Sequence, residues 1–412
     1  MKKFTIIFII AIFIVFATYT AVLQYKKSQN SDKETVTFWT LQMSDFEPYM
    51  NNLISIFEKN NPKIKINWID VPFSEGEKRT LAAVLSDNPP DLINLNPDFS
   101  SLLAQKGVLE EINEKDAEQY KSSIVNALKY NDKLYALPWY ATSAITIYNK
   151  AAFDELGLKV PEHYEELTDI SKIVKDKKNI YAFMPTITEN DTMYKILNKY
   201  GIDSPQKINS YESKKIFNFY KYLYQNDLIP KETITQTQRE ALEKYMSENT
   251  LLITSGANFL NMIKENAPNI YIKTDVAPQI KGTMEQNDFS CMNLVIPQKA
   301  KNKQSALAFA LYLTNTENSL ELAKISNVLT ANKKALEYDF YKNYEEGNLM
   351  AKARVISAKQ LDKIEPSVKI QRNQKEINLL INTAVQEILL NKKETMKVLN
   401  EISSKWVQLQ LK

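Results

Sequence analysis

A chain of 412 residues is too long for one ordinary compact domain, so two lobes are the default reading. Its 44% hydrophobic and 25% charged residues suit a globular protein and exclude both a disordered chain and a polytopic membrane protein. The 52 basic and 49 acidic residues leave a net charge of +3 with no isolated basic run, which argues against a nucleic-acid partner. A lone cysteine, Cys291, rules out an intrachain disulfide. A lone histidine, His163, nearly excludes a His-triad metal site or a Ser-His-Asp triad elsewhere in the chain.

Lys2 and Lys3 precede an apolar run from Phe4 to Leu23, the pattern of an export signal. The run is about 20 residues, enough to cross ~30 Å of hydrocarbon as a helix. No cysteine follows it, so lipid attachment there is impossible. Residues 1–30 therefore read as an uncleaved signal anchor with its linker, a cleaved signal peptide being the second reading. Either one carries the chain to the outer face of the membrane. Lys26 and Lys27 on the far flank leave the topology open.

Val36–Trp39 reads as a first strand, and Phe46–Asn60 as a helix with Met50, Leu53, Ile54 and Phe57 on one face, stopped by Asn61-Pro62. Ile64, Ile66 and Trp68 alternate as a second strand. Arg79–Leu85 reads as a helix, Leu92–Leu95 as a third strand, and Phe99–Gln105 as a helix ending at Gly107. This alternation predicts an α/β lobe with a largely parallel sheet. Tyr135–Tyr148 is one extended stretch, longer than a typical strand of about 5–6 residues, as expected of a strand passing from one lobe to another. Helices are predicted over Phe153–Leu156, Glu165–Lys175, Tyr211–Tyr224, Gln238–Met246, Ala306–Thr314, Lys375–Leu390 and Glu394–Leu409. Strands are predicted over Tyr181–Phe183, Leu251–Thr254, Asp275–Pro278 and Asn293–Pro297.

The order of motifs resembles the family 1 extracellular solute-binding proteins, the group that contains the maltose-binding type. The resemblance runs from about Val36 to the C-terminus. It is carried by VTFW, NNPKIKINW, NPPDLINLN, LLAQKGVLEEIN and, most diagnostically, LYALPWYATSAITIYNKAAFDELGL. PEHYEELTDISKIVK follows, with His163-Tyr164 where the family has Thr-Trp. YMSENTLLITSGANF and NLVIPQKAKNKQSALAFALYLTNTENSLELA complete the series. In the first of these two, Glu248-Asn249-Thr250 departs from the family's glycine and alanine, and Asn258-Phe259 stands near its tryptophan.

The resemblance implies an α/β, two-lobe periplasmic-binding-protein-like fold (type II) with a ligand cleft between the lobes, preceded by the N-terminal membrane helix or signal. Lobe one would comprise 35–145 plus about 280–335, and lobe two 146–279 plus about 336–412. It also implies a monomeric binding component of an ABC importer. Its partners would be ABC permease subunits, the membrane through its N-terminal segment, and a small carbohydrate, and it would use no cofactor or metal and do no catalysis.

Sugars need aromatic faces for their C–H surfaces and polar groups for their hydroxyls. Residues at strand ends and lobe crossings supply both kinds: Thr40, Gln42, Phe73, Asn94, Asn96, Trp139, Tyr140, Met184, Ser255, Asn258, Ser290 and Arg372. Each has a purely structural alternative. Trp139 competes with core packing, Asn94 and Asn96 with turn or capping roles, and Arg372 with a surface charge. Cys291 reads as a small buried residue, His163 as a surface or capping residue, and Asp91 as a turn carboxylate. A cleft glycosidase with paired carboxylates is the main enzymatic alternative, and a ligand sensor without transport a further one. There is no Gly-rich phosphate loop, nucleophile elbow or metal-ligand cluster to favour an enzyme.

Overall fold

The computed structural model describes residues 33–361, 371 and 373–411, with the side chains of Phe73 and Ser74 left aside. The signal or anchor segment and Arg372 lie outside the described residues. The chain divides into two compact units: one running to Ile93 and taking in Lys299–Tyr312, the other formed by Asn94–Gln298 and Leu313–Lys412.

The first unit is the alternating α/β arrangement that the sequence predicts. Strand Glu34–Leu41 pairs in parallel with Ile64–Val71 along its whole length, and with the strand that begins at Leu92 through Phe38–Leu92 and Trp39–Ile93. Helix Glu47–Asn60 buries the four predicted apolar residues, Met50, Leu53, Ile54 and Phe57. Asn61 ends it, its Nδ2 donating to the Phe57 carbonyl at 2.9 Å. Phe309 closes the core edge-on against Phe38 and Phe57, with centroids 5.4 and 4.9 Å away, the geometry that aromatic quadrupoles favour.

The next helix spans Phe73–Leu85, not the Arg79–Leu85 read from sequence. Gly76 lies in its first turns. In the structure a Cβ at Gly76 would lie 2.5 Å from Leu41 Cδ2, so the missing side chain is what lets the helix approach the first strand. Asp91 is the turn carboxylate expected: it accepts from Thr37 N and Asn302 N, both at 2.9 Å.

In the second unit one long strand, Leu137–Asn149, organises the sheet. Its first half pairs antiparallel with Phe289–Val295, and its second half with Thr250–Gly256 and Thr274–Pro278. Tyr181–Phe183 joins Thr250–Gly256 in parallel. Helices Leu167–Lys178, Tyr211–Gln225, Gln374–Leu389 and Thr395–Leu411 supply much of a core that includes Phe217, Tyr220, Ile381, Val385, Val398 and Trp406. The Trp406 indole is fully buried and donates to Gln371 Oε1 at 3.0 Å, so its burial leaves no donor unpaid. Among the described residues no helix is long and apolar enough to cross a membrane.

Candidate functional site

A cavity of about 360 Å³ opens in the second unit, and every residue lining it belongs to that unit. That is within the range of small-molecule sites, roughly 300–1,000 Å³. Its position follows from strand ends. The strand Tyr181–Phe183 runs out into Met184, Pro185 and Thr186; the strand Thr250–Gly256 brings Ser255; and the strand Phe289–Val295 brings Phe289 and Ser290.

Two kinds of surface meet there. Phe183, Met184, Tyr164, Tyr220 and Phe259 are aromatic or apolar, while Glu189, Asp191, Lys195, Gln238 and Asp288 are polar or charged. Burial raises the phenol pKa of Tyr164 and Tyr220, so both are neutral hydroxyls at physiological pH. The Tyr220 hydroxyl is buried with no hydrogen-bond partner among the described residues. A buried hydroxyl without a partner keeps its donor and its acceptor unused, at a cost to the folded state.

The polar side is built by hydrogen bonds. Glu189 Oε2 accepts from Gln238 N at 2.7 Å, and burial pushes its carboxyl up from the ordinary range. Asp191 precedes helix Thr192–Asn198 and meets the Lys195 ammonium at 3.1 Å. Behind the wall, buried Lys199 reaches Asp288 Oδ2 at 2.9 Å, Gln279 Oε1 at 2.8 Å and the Ile280 carbonyl at 2.8 Å. Gln279 in turn accepts from Asp288 N at 2.9 Å, and Gln360 Oε1 accepts from Gln279 N at 2.8 Å. Segment 279–288, which carries Ile280 and Asp288 into the wall, is thus pinned by a buried lysine. Gly282 allows this close approach, since a Cβ there would fall 2.4 Å from the Lys199 carbonyl oxygen.

A family model described as bacterial extracellular solute-binding protein matches residues 52–350. The chain belongs to the bacterial extracellular solute-binding proteins. The multiple sugar-binding protein of Streptococcus mutans is 27% identical to it over 314 residues, covering 70% of this chain and 73% of that protein. A Synechococcus sp. MITs9220 protein described as an oligosaccharide periplasmic-binding protein matches with a TM-score of 0.83 and 27% identity, over 91% of this chain and 99% of that one. An ABC substrate-binding protein from Listeria monocytogenes, solved with cycloalternan, shares the fold at a TM-score of 0.73 and 21% identity, over 92% and 99% of the two chains. This solute-binding protein therefore has the two-lobed α/β fold of periplasmic binding proteins, and membership of the family carries an extracytoplasmic location.

Of the residues singled out in the sequence of this solute-binding protein, the structure brings Met184, Ser255 and Ser290 together at the cavity. Arg372 and the Phe73 side chain lie outside the described residues, and Thr40, Gln42, Asn94, Asn96, Trp139, Tyr140 and Asn258 lie off its lining. Thr40 is buried and donates to Asp70 Oδ1 at 2.6 Å while accepting from Trp68 Nε1 at 2.8 Å. Gln42 has a left-handed backbone (φ 54°), and its amide donates to the Val71 carbonyl. Phe73 opens a helix. Asn94 is buried, its Nδ2 donating to the Asn293 carbonyl at 3.2 Å. Asn96 caps helix Pro97–Gln105, its Oδ1 accepting from Phe99 N at 2.8 Å. Trp139 is 1% exposed and packs edge-on against Tyr140 at 5.4 Å. Asn258 precedes helix Phe259–Asn266 and sits over Gly256.

Sequence reasoning in this solute-binding protein missed Tyr164, Glu189, Asp191, Lys195, Tyr220, Gln238 and Asp288. Glu189 and Asp191 follow Met184 in the same strand-end loop, so carrying the strand-end argument a few residues further would have reached them. Tyr220 gave no such signal. Its helical spacing within Tyr211–Gln225 reads as core packing, and its ring is indeed core. The same residue also lines the cavity.

Proposed function

We propose that this protein captures a carbohydrate, an oligosaccharide rather than a monosaccharide, outside the cytoplasm and delivers it to the permease of an ABC importer, performing no chemistry on it. The observation that carries the reading is the cavity wall itself, where Phe183, Tyr220 and Phe259 face the same space as Glu189, Gln238, Ser255 and Ser290. Aromatic carbon beside fixed polar groups is what a sugar's two kinds of surface require. The sugar-binding relative from Streptococcus mutans supports the substrate class. Attachment through the segment before residue 33, and a monomeric state, belong to the same proposal.

The test is a thermal-shift panel on the purified protein: maltose, maltotriose, arabino-oligosaccharides, chito-oligosaccharides, polyols, peptides, polyamines and divalent metals. Binding to the native state alone adds about 2.7 kcal/mol at a hundredfold excess over Kd, so a genuine sugar ligand raises the melting temperature clearly. A response to peptides, polyamines or metals with none to sugars would sink the reading.

A further inference from the structure

The cavity carries a charge arrangement that discriminates among sugars. Among the described residues lining it, the cation Lys195 stands against three carboxylates, Glu189, Asp191 and Asp288. Lys195 is engaged by Asp191 at 3.1 Å. Burial works against its charge, but the Asp191 and Asp288 carboxylates outweigh burial and hold the ammonium above its ordinary pKa. Lys199 offers nothing to the cavity either. An ammonium has three donors, and the three acceptors around Lys199 are Asp288, Gln279 and the Ile280 carbonyl. Glu189 is held by a backbone amide and meets no cation among the described residues.

A phosphate or carboxylate entering this space would exchange its hydration for a wall in which acids outnumber bases, and like charges brought together there repel. Three helices start at the wall: Thr192–Asn198 follows Asp191, Gln238–Met246 has its first amide taken by Glu189, and Phe259–Asn266 follows Asn258, so two of the three have a carboxylate beside the end that would draw an anion.

We propose that the site admits sugars without negative charge and rejects their phosphorylated and uronic-acid counterparts, with Asp191 the specificity-determining residue because it keeps the Lys195 ammonium from a ligand anion. The proposal rests on reading this cavity as the carbohydrate site. It separates neutral oligosaccharides from sugar phosphates, which the fold alone does not.

The experiment uses the full chain and titrates glucose 6-phosphate, glucuronate and inorganic phosphate at constant ionic strength, beside the neutral sugar panel, by thermal shift and calorimetry. The variants are Asp191→Asn, Asp191→Asn with Lys195→Met, Asp191→Ser and Arg372→Ala, each checked for a native melting transition. The wild type should show no response to the three anions beyond a matched chloride control. Asp191→Asn should gain affinity for inorganic phosphate by about tenfold or more as the ammonium becomes available, and the added Lys195→Met should abolish the gain. Should Asp191→Asn fail to fold, Asp191→Ser tests the same release of the Lys195 ammonium. A wild-type phosphate response lost in Arg372→Ala would overturn the proposal, because a cation outside the described residues would then serve the site. Asp191→Asn folding normally without any phosphate gain would overturn it too. If no neutral sugar binds while the phosphate results come out as expected, the carbohydrate reading falls and the anion-excluding wall stands.

Discussion

Lys199 holds Asp288 across 2.9 Å from a position where its own side chain is 2% exposed. The pair is the junction between the interior of the second unit and its cavity wall, because Asp288 lines the cavity while Lys199 also binds Gln279 and the Ile280 carbonyl.

Lys199→Met should therefore destabilise the folded protein by about 3 kcal/mol, toward the lower end for breaking a buried pair because Asp288 is partly solvated. It should weaken ligand binding as well, since the 280–288 segment loses its anchor. Lys199→Arg should recover part of both. Urea unfolding and ligand titration of the two variants decide this; a stability loss under ~1 kcal/mol would show that the lysine is not the anchor.

Tyr220→Phe should separate ligand binding from folding. The hydroxyl has no partner among the described residues, so deleting it removes an unpaid burial cost of about 1–3 kcal/mol and should leave the ligand-free protein as stable or more so. If the hydroxyl meets the ligand, affinity should fall about three- to tenfold, the equivalent of one ordinary hydrogen bond. Unchanged affinity in the presence of a bound sugar would remove Tyr220 from the contact set.

Trp139→Ala should do the opposite. The indole is buried in the sheet beside Tyr140 and lies off the cavity lining. Truncation should cost about 3–5 kcal/mol of stability while the affinity of the folded fraction stays the same. Affinity lost with full stability kept would mean that the indole contacts ligand after all.

Cys291 gives a pH signature. Burial pushes its thiol up to about 12 from an ordinary value of 9.0. Below pH 9 both folded and unfolded chains keep the proton and its contribution is complete. Between about 9 and 12 only the unfolded chain releases the proton, so stability falls as pH rises, by at most ~1.4 kcal/mol per pH unit. Denaturant melts of wild type and Cys291→Ala across pH 8–11 should diverge in slope above pH 9. Iodoacetamide at pH 8 should leave the native thiol unmodified and label it only after unfolding.

If the segment before Lys33 is the membrane attachment proposed above, a chain starting at Lys33 should no longer associate with membranes; no helix among the described residues has the length and apolarity to cross one. Flotation with liposomes tests this. Membrane association that survives the truncation would relocate the anchor.

Strand and helix order was legible without a structure wherever local pattern decides the outcome. The 3.6-residue stripe of Met50, Leu53, Ile54 and Phe57 and the unbroken extended run around Pro138 each became the element expected. Gly76 shows where local reasoning fails, since its helix depends on a contact with Leu41 from a distant strand. The same limit explains the site. Met184, Ser255 and Ser290 stand at or beside strand ends, a position that sequence alone marks as facing ligand. Thr40 and Asn96 stand at strand ends too, but Asp70 and the Phe99 amide claim their polar atoms. Residue type and strand-end position are properties of the chain and were readable from it. Which hydroxyl finds an internal partner and which, like that of Tyr220, is left without one among the described residues depends on residues tens of positions away, because a hydrogen bond is satisfied by proximity in space. Only the folded structure sets that proximity.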